Sequence, residues 1–307
     1  MSLLPPNEEQ LRKIYEQMGV TEESLDRDVI ILQEWLTKQP HLPSPADPRR
    51  LQWYLLQTKN SVEESKRLLD AFYTIRSSGN PELFRDRDPL RPELQAAARS
   101  TTMAPLPRLT PEGYRIVAFK MLKPEAAIRL PIEYAKISMM STEIRMLEDV
   151  NAGTVLLVDL SGYTTSHLST LTMPLIRKYS YYTQNIYKSR VKAIHVLNAS
   201  TLVEKLSNLL RPFLKEKVFK RMCIHPRDNH RLFETLPQDT IPEDYGGTLP
   251  SLAELNEKWL EKLISYRDWF HQEEHEQKVD ETKRPSNSEQ YSGEFGVEGS
   301  FRKLNLD

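Results

Sequence analysis

Between residues 112 and 197, three short apolar runs alternate with two longer amphipathic stretches, and this pattern restricts the fold more than any other feature. The runs YRIVAFKM, GTVLLVDL and VKAIHVLN have the length and composition of β-strands, and GTVLLVDL is apolar enough to be buried on both faces. The stretches between them, IEYAKISMMSTEIRMLEDV and MPLIRKYSYYTQNIY, carry apolar residues at helical spacing. This order predicts an α/β fold in which crossover helices flank the sheet.

The segments on either side of this region differ from it in composition. Residues 1–80 contain amphipathic stretches interrupted by Gly19 and by the proline-rich HLPSPADP, so we predict an N-terminal helical bundle. Residues 81–111 are rich in proline and are predicted to form a connector with one short helix. The main domain is then expected over residues 112–270, followed by a polar, partly mobile tail over residues 271–307.

The composition excludes several classes of protein. A formal net charge of −1 argues against bulk electrostatic attraction to nucleic acid, so any anion must bind at a local patch. The one cysteine, Cys223, can form neither an internal disulfide nor a cysteine-rich metal site. The first ten residues lack a basic segment followed by an apolar run, and no apolar run is long enough to span a bilayer. We therefore expect a cytoplasmic protein, acting as a monomer.

One motif contains residue types that bind catalytic zinc. HQEEH places His271, Glu274 and His275 in the pattern of an inverted zinc-protease motif, with the two histidines on one helix face. The surrounding segment is highly charged and offers no apolar wall for a site. We expect no metal here.

A second motif, DLSGYTTSH, contains Asp159, Ser161 and His167, which are the residue types of a hydrolase triad. A hydrolase is therefore the alternative function from another class, although the serine is not in a G-x-S-x-G elbow. The more ordinary interpretation is a turn anchored by Asp159 and a following helix supported by His167. The sequence has no Walker loop and no G-x-G-x-x-G, so we expect no nucleotide cofactor.

The two amphipathic helices each allow two interpretations. Tyr182 and Tyr187 are nearly aligned on the second helix and either pack in the core or form an aromatic wall for a flat apolar ligand. On the first helix, Ser138 and Thr142 lie four residues apart beside an apolar stripe. In a plain core their hydroxyls would make only a bond to the preceding turn, whereas in a cavity they could meet a polar head group.

Cations cluster at the start of the third strand and in the stretch that follows it. Arg190 and Lys192 precede and enter the strand, and Lys217 and Arg221 share one face of the later stretch. Residues 200–221 are both basic and amphipathic, which suits an anionic membrane surface, although a solvated rim is the commoner role of a single lysine.

Four stretches in this order resemble the CRAL-TRIO lipid-transfer family, and in particular its α-tocopherol transfer protein and retinaldehyde-binding branch. They are the N-terminal helices with WLTKQPHLP; GTVLLVDLSGYTTSHL; RVKAIHVLNAS followed by LLRPFLKEKVFKRMCIH; and IPEDYGGTLPSL. The resemblance covers roughly residues 10 to 270. It implies a helical N-terminal domain before a mixed sheet that floors a closed apolar pocket, a mobile helix that gates the pocket, and a basic cleft for phosphoinositide head groups.

The resemblance also implies the residues of the site. The pocket wall would include Phe119, Ser138, Met139, Thr142, Tyr163, Leu171, Tyr182, Tyr187 and Ile194. The phosphoinositide-binding cations would be Arg190, Lys192, Lys217 and Arg221.

The implied function is that of a non-enzymatic carrier of one tocopherol-, retinoid- or carotenoid-like lipid. The carrier would have no cofactor and would associate peripherally with anionic membranes. A phosphoinositide-binding trafficking adaptor is the alternative within the family.

Overall fold

A five-stranded mixed sheet lies at the centre of the computed structural model, which describes residues 2–79, 81–127, 131–199, 202–225 and 232–285. The first two strands are antiparallel, and every later neighbour is parallel, in the order in which the strands occur along the chain. The strands are β1 (Thr101–Leu109), β2 (Tyr114–Met121), β3 (Gly153–Asp159), β4 (Val191–Leu197) and β5 (Met222–Ile224).

Helices precede the sheet, connect its strands and follow it, as the α/β prediction requires. The N-terminal helices are α1 (Glu8–Met18), α2 (Glu22–Thr37), α3 (Pro48–Gln57), α4 (Val62–Thr74), α5 (Pro81–Phe84) and α6 (Pro92–Ser100). The helices between strands are α7 (Pro124–Ala127), α8 (Pro131–Glu148), α9 (Thr165–Ser169), α10 (Met173–Tyr181), α11 (Leu202–Leu210) and α12 (Glu216–Phe219). The C-terminal helices are α13 (Leu252–Ser265) and α14 (Arg267–His275). Among the described residues, no helix has the length and hydropathy needed to span a membrane.

Local signals in the sequence set the ends of the N-terminal helices. Asn7 and Thr21 each accept a hydrogen bond from a backbone N–H in the first helical turn that follows, and so satisfy a donor that the helix leaves free. Gly19 ends α1 with a φ of 69°, a left-handed conformation that glycine adopts without steric cost. The predicted bundle is present, and its core packs against α8 and against the end of α10.

The predicted connector, residues 81–111, contains the edge strand β1 as well as the expected helix α6. The prolines that suggested a connector, Pro105 and Pro107, are tolerated because an edge strand needs only half of its backbone N–H groups for the ladder. The register shifts between Pro105 and Leu109, as expected where the ladder is interrupted.

A buried ionic network fixes α8 against the N-terminal helices. Glu143, 1% exposed, accepts hydrogen bonds from Arg87 at 2.9 Å and from the Tyr187 hydroxyl at 2.7 Å, and it lies 3.3 Å from Arg76. Burial would raise the pKa of Glu143, but Arg76 and Arg87 lower it below its usual value. Because removing one partner would leave a buried charge unpaired, the network is costly to break, and it joins α8 to the segments that contain Arg76 and Arg87.

The predicted tail is packed as far as it is described. Arg284, near the end of the described chain, bonds both carboxylate oxygens of Asp70 at 2.9 Å and the Thr74 hydroxyl at 2.7 Å. This segment is therefore attached to α4. The remainder of the predicted mobile tail, residues 286–307, lies outside the described residues.

Candidate functional site

An elongated cavity lies between one face of the sheet and the segment of residues 202–221, which we call the covering segment. Its volume is about 360 Å³, and an adjoining cavity of about 330 Å³ extends it toward α9 and α10. The two share wall residues, among them Phe119, Tyr163 and Tyr179. Volumes of this size are typical of sites for small molecules.

The strands supply the floor through their alternation. Leu156 and Val158 of β3 point into the cavity, whereas Val155 and Leu157 point to the opposite face and pack in a separate core under the C-terminal segment. The other strands supply further apolar floor residues in the same way. These are Met103, Val117, Phe119, Ile194, Val196 and Met222.

Helix α8 turns a polar strip toward the cavity. One apolar stripe of α8, which includes Met139, packs on the N-terminal bundle, and the other, which includes Met140, packs on α13. Ser138 and Thr142 lie between the stripes and line the cavity. The Ser138 hydroxyl is 2.5 Å from the Tyr179 hydroxyl, whereas Thr142 donates to the Ser138 carbonyl at 2.9 Å. Of these two hydroxyls, only that of Ser138 is bonded to another side chain and not to the helix backbone.

The covering segment is less buried than the rest of the fold. None of the residues of α11 or α12 is buried, although Val203, Leu206 and Val218 line the cavity. The sequence predicts one helix interrupted by Pro212, and the structure has two helices separated by a turn. A helix cannot continue regularly at a proline, because the ring removes a hydrogen bond and meets the preceding turn. Residues 200 and 201, the predicted start of the segment, lie outside the described residues.

Gln184 holds the turn of the covering segment in place. Its side-chain nitrogen donates to the Phe213 carbonyl at 2.8 Å, and its side-chain oxygen accepts from the Lys215 backbone N–H at 3.1 Å. Gln184 lies in the π-helical turn Tyr182–Ile186 that follows α10. These two hydrogen bonds therefore join the covering segment to the fixed part of the fold.

Five cations gather where β4 begins and the covering segment ends. Arg190 is half-buried and lies near Arg221. Its pKa is lowered first by burial and then by the positive charge of Arg221. The pKa of Lys192 falls to about 8, because of burial first and then because of Arg190, Arg221, Lys59 and Lys217. Within the described part of the chain, none of the five has a carboxylate partner. We call these five residues the cation cluster.

The predicted phosphoinositide residues are thus brought together, and the structure adds Lys59 to them. Lys59 follows α3 in a left-handed conformation, with φ 57°, and its side chain is exposed. Lys192 runs over Gly153, where a Cβ atom would lie 2.8 Å from the lysine side chain. Its ammonium is 3.1 Å from the Gln17 side-chain oxygen and 4.6 Å from the centre of the Tyr114 ring. Neutral groups thus position this cation and leave its charge uncompensated.

Six of the nine residues predicted for the pocket wall line the two cavities. They are Phe119, Ser138, Thr142, Tyr163, Leu171 and Ile194. Whether they contact a ligand stays a prediction.

Met139, Tyr182 and Tyr187 do not line either cavity, and the prediction for these three is corrected. Tyr182 packs on Phe84, and Tyr187 packs on Phe72 and bonds to Glu143. The backbone N–H of Tyr187 donates to the Tyr182 carbonyl at 2.9 Å, five residues back, which is the hydrogen bond of a π-helical turn. Tyr182, Tyr187 and Met139 all pack in the core that includes the N-terminal bundle.

The geometry does not assemble the candidate hydrolase triad. One ring nitrogen of His167 lies 2.8 Å from the Pro124 carbonyl and the other 2.8 Å from the Thr164 hydroxyl, so neither meets Ser161. Asp159 accepts from the Ser161 backbone N–H at 2.8 Å, as in an anchored turn. The alternative interpretation of this motif, a turn and a supported helix, is confirmed.

Side chains of the HQEEH motif make contacts with the segment of residues 86–88. Glu274 accepts from the backbone N–H groups of Asp86 and Arg87, and His271 lies 3.5 Å from Asp88. Within the ranges that the structure describes, no three His, Cys, Asp or Glu side chains are grouped to bind a metal ion.

Comparisons with known proteins agree with this architecture. Residues 113–247 match the model of the CRAL/TRIO domain, and residues 21–94 match that of the Pinta-like UBA domain. The chain thus contains a CRAL/TRIO domain. CRAL-TRIO proteins are lipid-binding and lipid-transfer proteins. The mixed sheet, its flanking helices and the N-terminal helical region agree with the fold of this family.

Several relatives of this protein cover most of its length. It is 28% identical over 269 residues to the alpha-tocopherol transfer protein-like protein of Homo sapiens, which is 86% of this chain and 76% of that protein. It is 25% identical to clavesin-2 of Homo sapiens over 79% of this chain and 75% of that protein. The crystal structure of Sfh5 covers 86% of this chain and 99% of its own, with a TM-score of 0.46 and 13% identity, which is too low to identify site residues.

Tyr179, Gln184 and Arg145 are among the cavity residues that were not included in the predicted pocket wall. Tyr179 and Gln184 lie on the cavity side of the tyrosine-rich helix and its π-helical turn, and Arg145 lies on α8. The spacing of Arg145, seven residues after Ser138, would have placed it on the same helix face. For Gln184 the sequence holds no comparable signal, because its partners are backbone groups of a distant turn.

Proposed function

We propose that this protein is a carrier that binds one hydrophobic lipid, of tocopherol, retinoid or carotenoid type, in the cavity under the covering segment. The observation that carries the proposal is the apolar cavity itself, which is floored by the sheet and covered by helices that have no buried residue. Such a cover can leave the sheet at a modest cost, whereas the floor belongs to the buried core. The carrier would act in the cytoplasm, without catalysis or a cofactor.

The cation cluster would bring the carrier to its membrane. Each cation near an anionic leaflet contributes about 1 kcal/mol of attraction, and the cluster lies beside the end of the covering segment. Phosphoinositide head groups would bind there, and the apolar residues of the covering segment would then face lipid instead of the cavity. The lipid would leave only when the membrane holds the cover open.

Transfer of a fluorescent tocopherol or retinoid between vesicles tests this proposal. The variant Arg190→Gln/Lys192→Gln/Lys217→Gln/Arg221→Gln loses four charges, worth about 4 kcal/mol or roughly a thousandfold in vesicle affinity. We expect transfer to phosphoinositide-containing acceptors to fall to the rate for neutral acceptors, with ligand loading retained. If the wild type and the variant transfer the lipid at equal rates that do not depend on salt concentration, the proposal is contradicted.

A phosphoinositide-binding trafficking adaptor is the second candidate, because the cation cluster alone would serve an adaptor equally well. The two candidates differ in the cavity. An adaptor would bind the same vesicles through the cation cluster and would show neither a bound internal lipid nor ligand transfer.

A further inference from the structure

Arg145 places a buried guanidinium in the wall of an otherwise largely apolar cavity. It belongs to the last turn of α8 and is 4% exposed. Thr154, at the start of β3, lines the same part of the cavity and accepts a hydrogen bond from Nη2 of Arg145 at 3.0 Å. The ring of Trp53 lies 5.8 Å from the guanidinium carbon. The position of this cation is therefore set by two neighbours, Thr154 and Trp53.

The charges around Arg145 do not balance. Arg145 and Arg115 share one carboxylate, that of Asp149, with Arg145 Nε 3.2 Å from one oxygen and Arg115 Nη2 2.9 Å from the other. No other carboxylate among the described residues pairs with either arginine. Burial would raise the pKa of Asp149, but the two arginines lower it, so it is ionised. Two buried cations and one anion leave one positive charge over.

Part of the guanidinium remains available. Nε of Arg145 is bonded to Asp149 and Nη2 to Thr154, whereas Nη1 makes no hydrogen bond to any described residue. Burial, and then Arg115, lower the pKa of Arg145 below its usual value, although Asp149 opposes them. Arginine nevertheless stays charged in proteins. A free, charged donor in an apolar cavity favours an anionic acceptor there.

We infer that the lipid bound in this cavity carries a carboxylate head group, which pairs with Arg145. The inference rests on the proposed carrier function and narrows its ligand to an acidic lipid, such as a retinoic acid, which excludes tocopherols and carotenoids that lack a carboxylate. A carboxylate brings one negative charge, which matches the single excess positive charge, and it accepts the strong charge-assisted hydrogen bond that Nη1 can donate. A phosphate monoester would bring nearly two negative charges, which exceeds the single excess positive charge.

Matched pairs of lipids test the inference in the unmodified protein. We would measure the affinity for a long-chain fatty acid and the fatty alcohol of the same chain, and for retinoic acid and retinol. A charge-assisted hydrogen bond predicts that the acid of at least one pair binds about 10- to 100-fold more tightly than its alcohol. Equal affinities within both pairs would overturn the inference and leave the carrier function intact, whereas no binding of any probe would contradict the carrier function too.

Two variants locate the group that recognises the acid. Arg145→Gln should abolish the preference for the acid while alcohol binding is retained, which also shows that the variant is folded. Arg190→Gln, which removes a charge from the cation cluster, should keep the preference. If Arg190→Gln loses the preference and Arg145→Gln keeps it, the head group binds at the cation cluster and the inference is wrong. Should Arg145→Gln fail to fold, the acid–alcohol comparison in Arg190→Gln still separates the two sites.

Discussion

Replacing Gln184 by methionine should loosen the covering segment without emptying the cavity. Methionine has nearly the length of glutamine but can make neither of the two hydrogen bonds to the turn of the covering segment, at the Phe213 carbonyl and the Lys215 N–H. A neutral hydrogen bond contributes about 1 kcal/mol net, so the loss of both weakens the closed state by about 2 kcal/mol. If release requires opening of this segment, spontaneous release accelerates by up to about thirtyfold.

The assay follows a fluorescent lipid as it leaves the loaded protein for vesicles that contain no anionic lipid. Thr183→Val is the matched control, because Thr183 also lines the cavity but its hydroxyl bonds only to carbonyls of α10, those of Tyr179 and Ser180. We expect faster release from Gln184→Met and an unchanged rate from Thr183→Val. With anionic vesicles the difference should shrink, because the membrane itself holds the segment open. Equal release from both variants would refute the assignment of this segment as the gate.

Three further predictions concern the wall, the cation cluster and the buried network. Ser138→Leu fills cavity volume and should lower ligand loading by about tenfold or more. Met139→Leu, a change of similar volume in the neighbouring core, should leave loading unchanged. Equal loading of the two variants would place Ser138 outside the site. Lys192 has a pKa of about 8 and loses its charge as the pH rises from 7 to about 9.5, so the affinity for anionic vesicles should fall about fivefold. Lys192→Arg stays charged and should prevent this fall. If the affinities of the wild type and of Lys192→Arg change in parallel with pH, Lys192 has no role in membrane binding. Tyr187→Phe removes the hydrogen bond to buried Glu143 and should lower the free energy of unfolding by about 1–3 kcal/mol, with ligand loading unchanged. A loss of ligand loading at unchanged stability would instead show that Tyr187 belongs to the pocket wall.

The fold could be predicted from the sequence where periodicity determines which residues are buried. Strands β2, β3 and β4 and helix α8 are present as predicted, because a period of two or of 3.6 residues is visible without knowledge of the neighbours. Strand β1 was missed because its two prolines are compatible only with an edge, and edge position is a property of the whole sheet. Strand β5 has three residues, too few to show a period.

The site could be predicted only in part, for a different reason. The spacing of α8 placed Ser138 and Thr142 beside an apolar stripe. It could not show that the apolar residues on both sides of these hydroxyls would be covered, by the N-terminal bundle on one side and by α13 on the other. The resemblance placed Met139, Tyr182 and Tyr187 in the pocket wall, whereas the structure packs them in the core shared with the N-terminal bundle. The cation cluster needed β4, the covering segment and the loop after α3 to meet, and only the first two contained a visible signal.

The most direct test of the account is the identification of what the native protein carries. Lipids would be extracted from the purified protein and from Ser138→Leu prepared in the same way, and quantified by mass spectrometry against protein concentration. We predict close to one molecule of a single hydrophobic lipid class per wild-type chain, and much less in the variant. Wild-type protein that carries no more lipid than the variant, yet still binds phosphoinositide vesicles, would contradict the carrier and favour the adaptor.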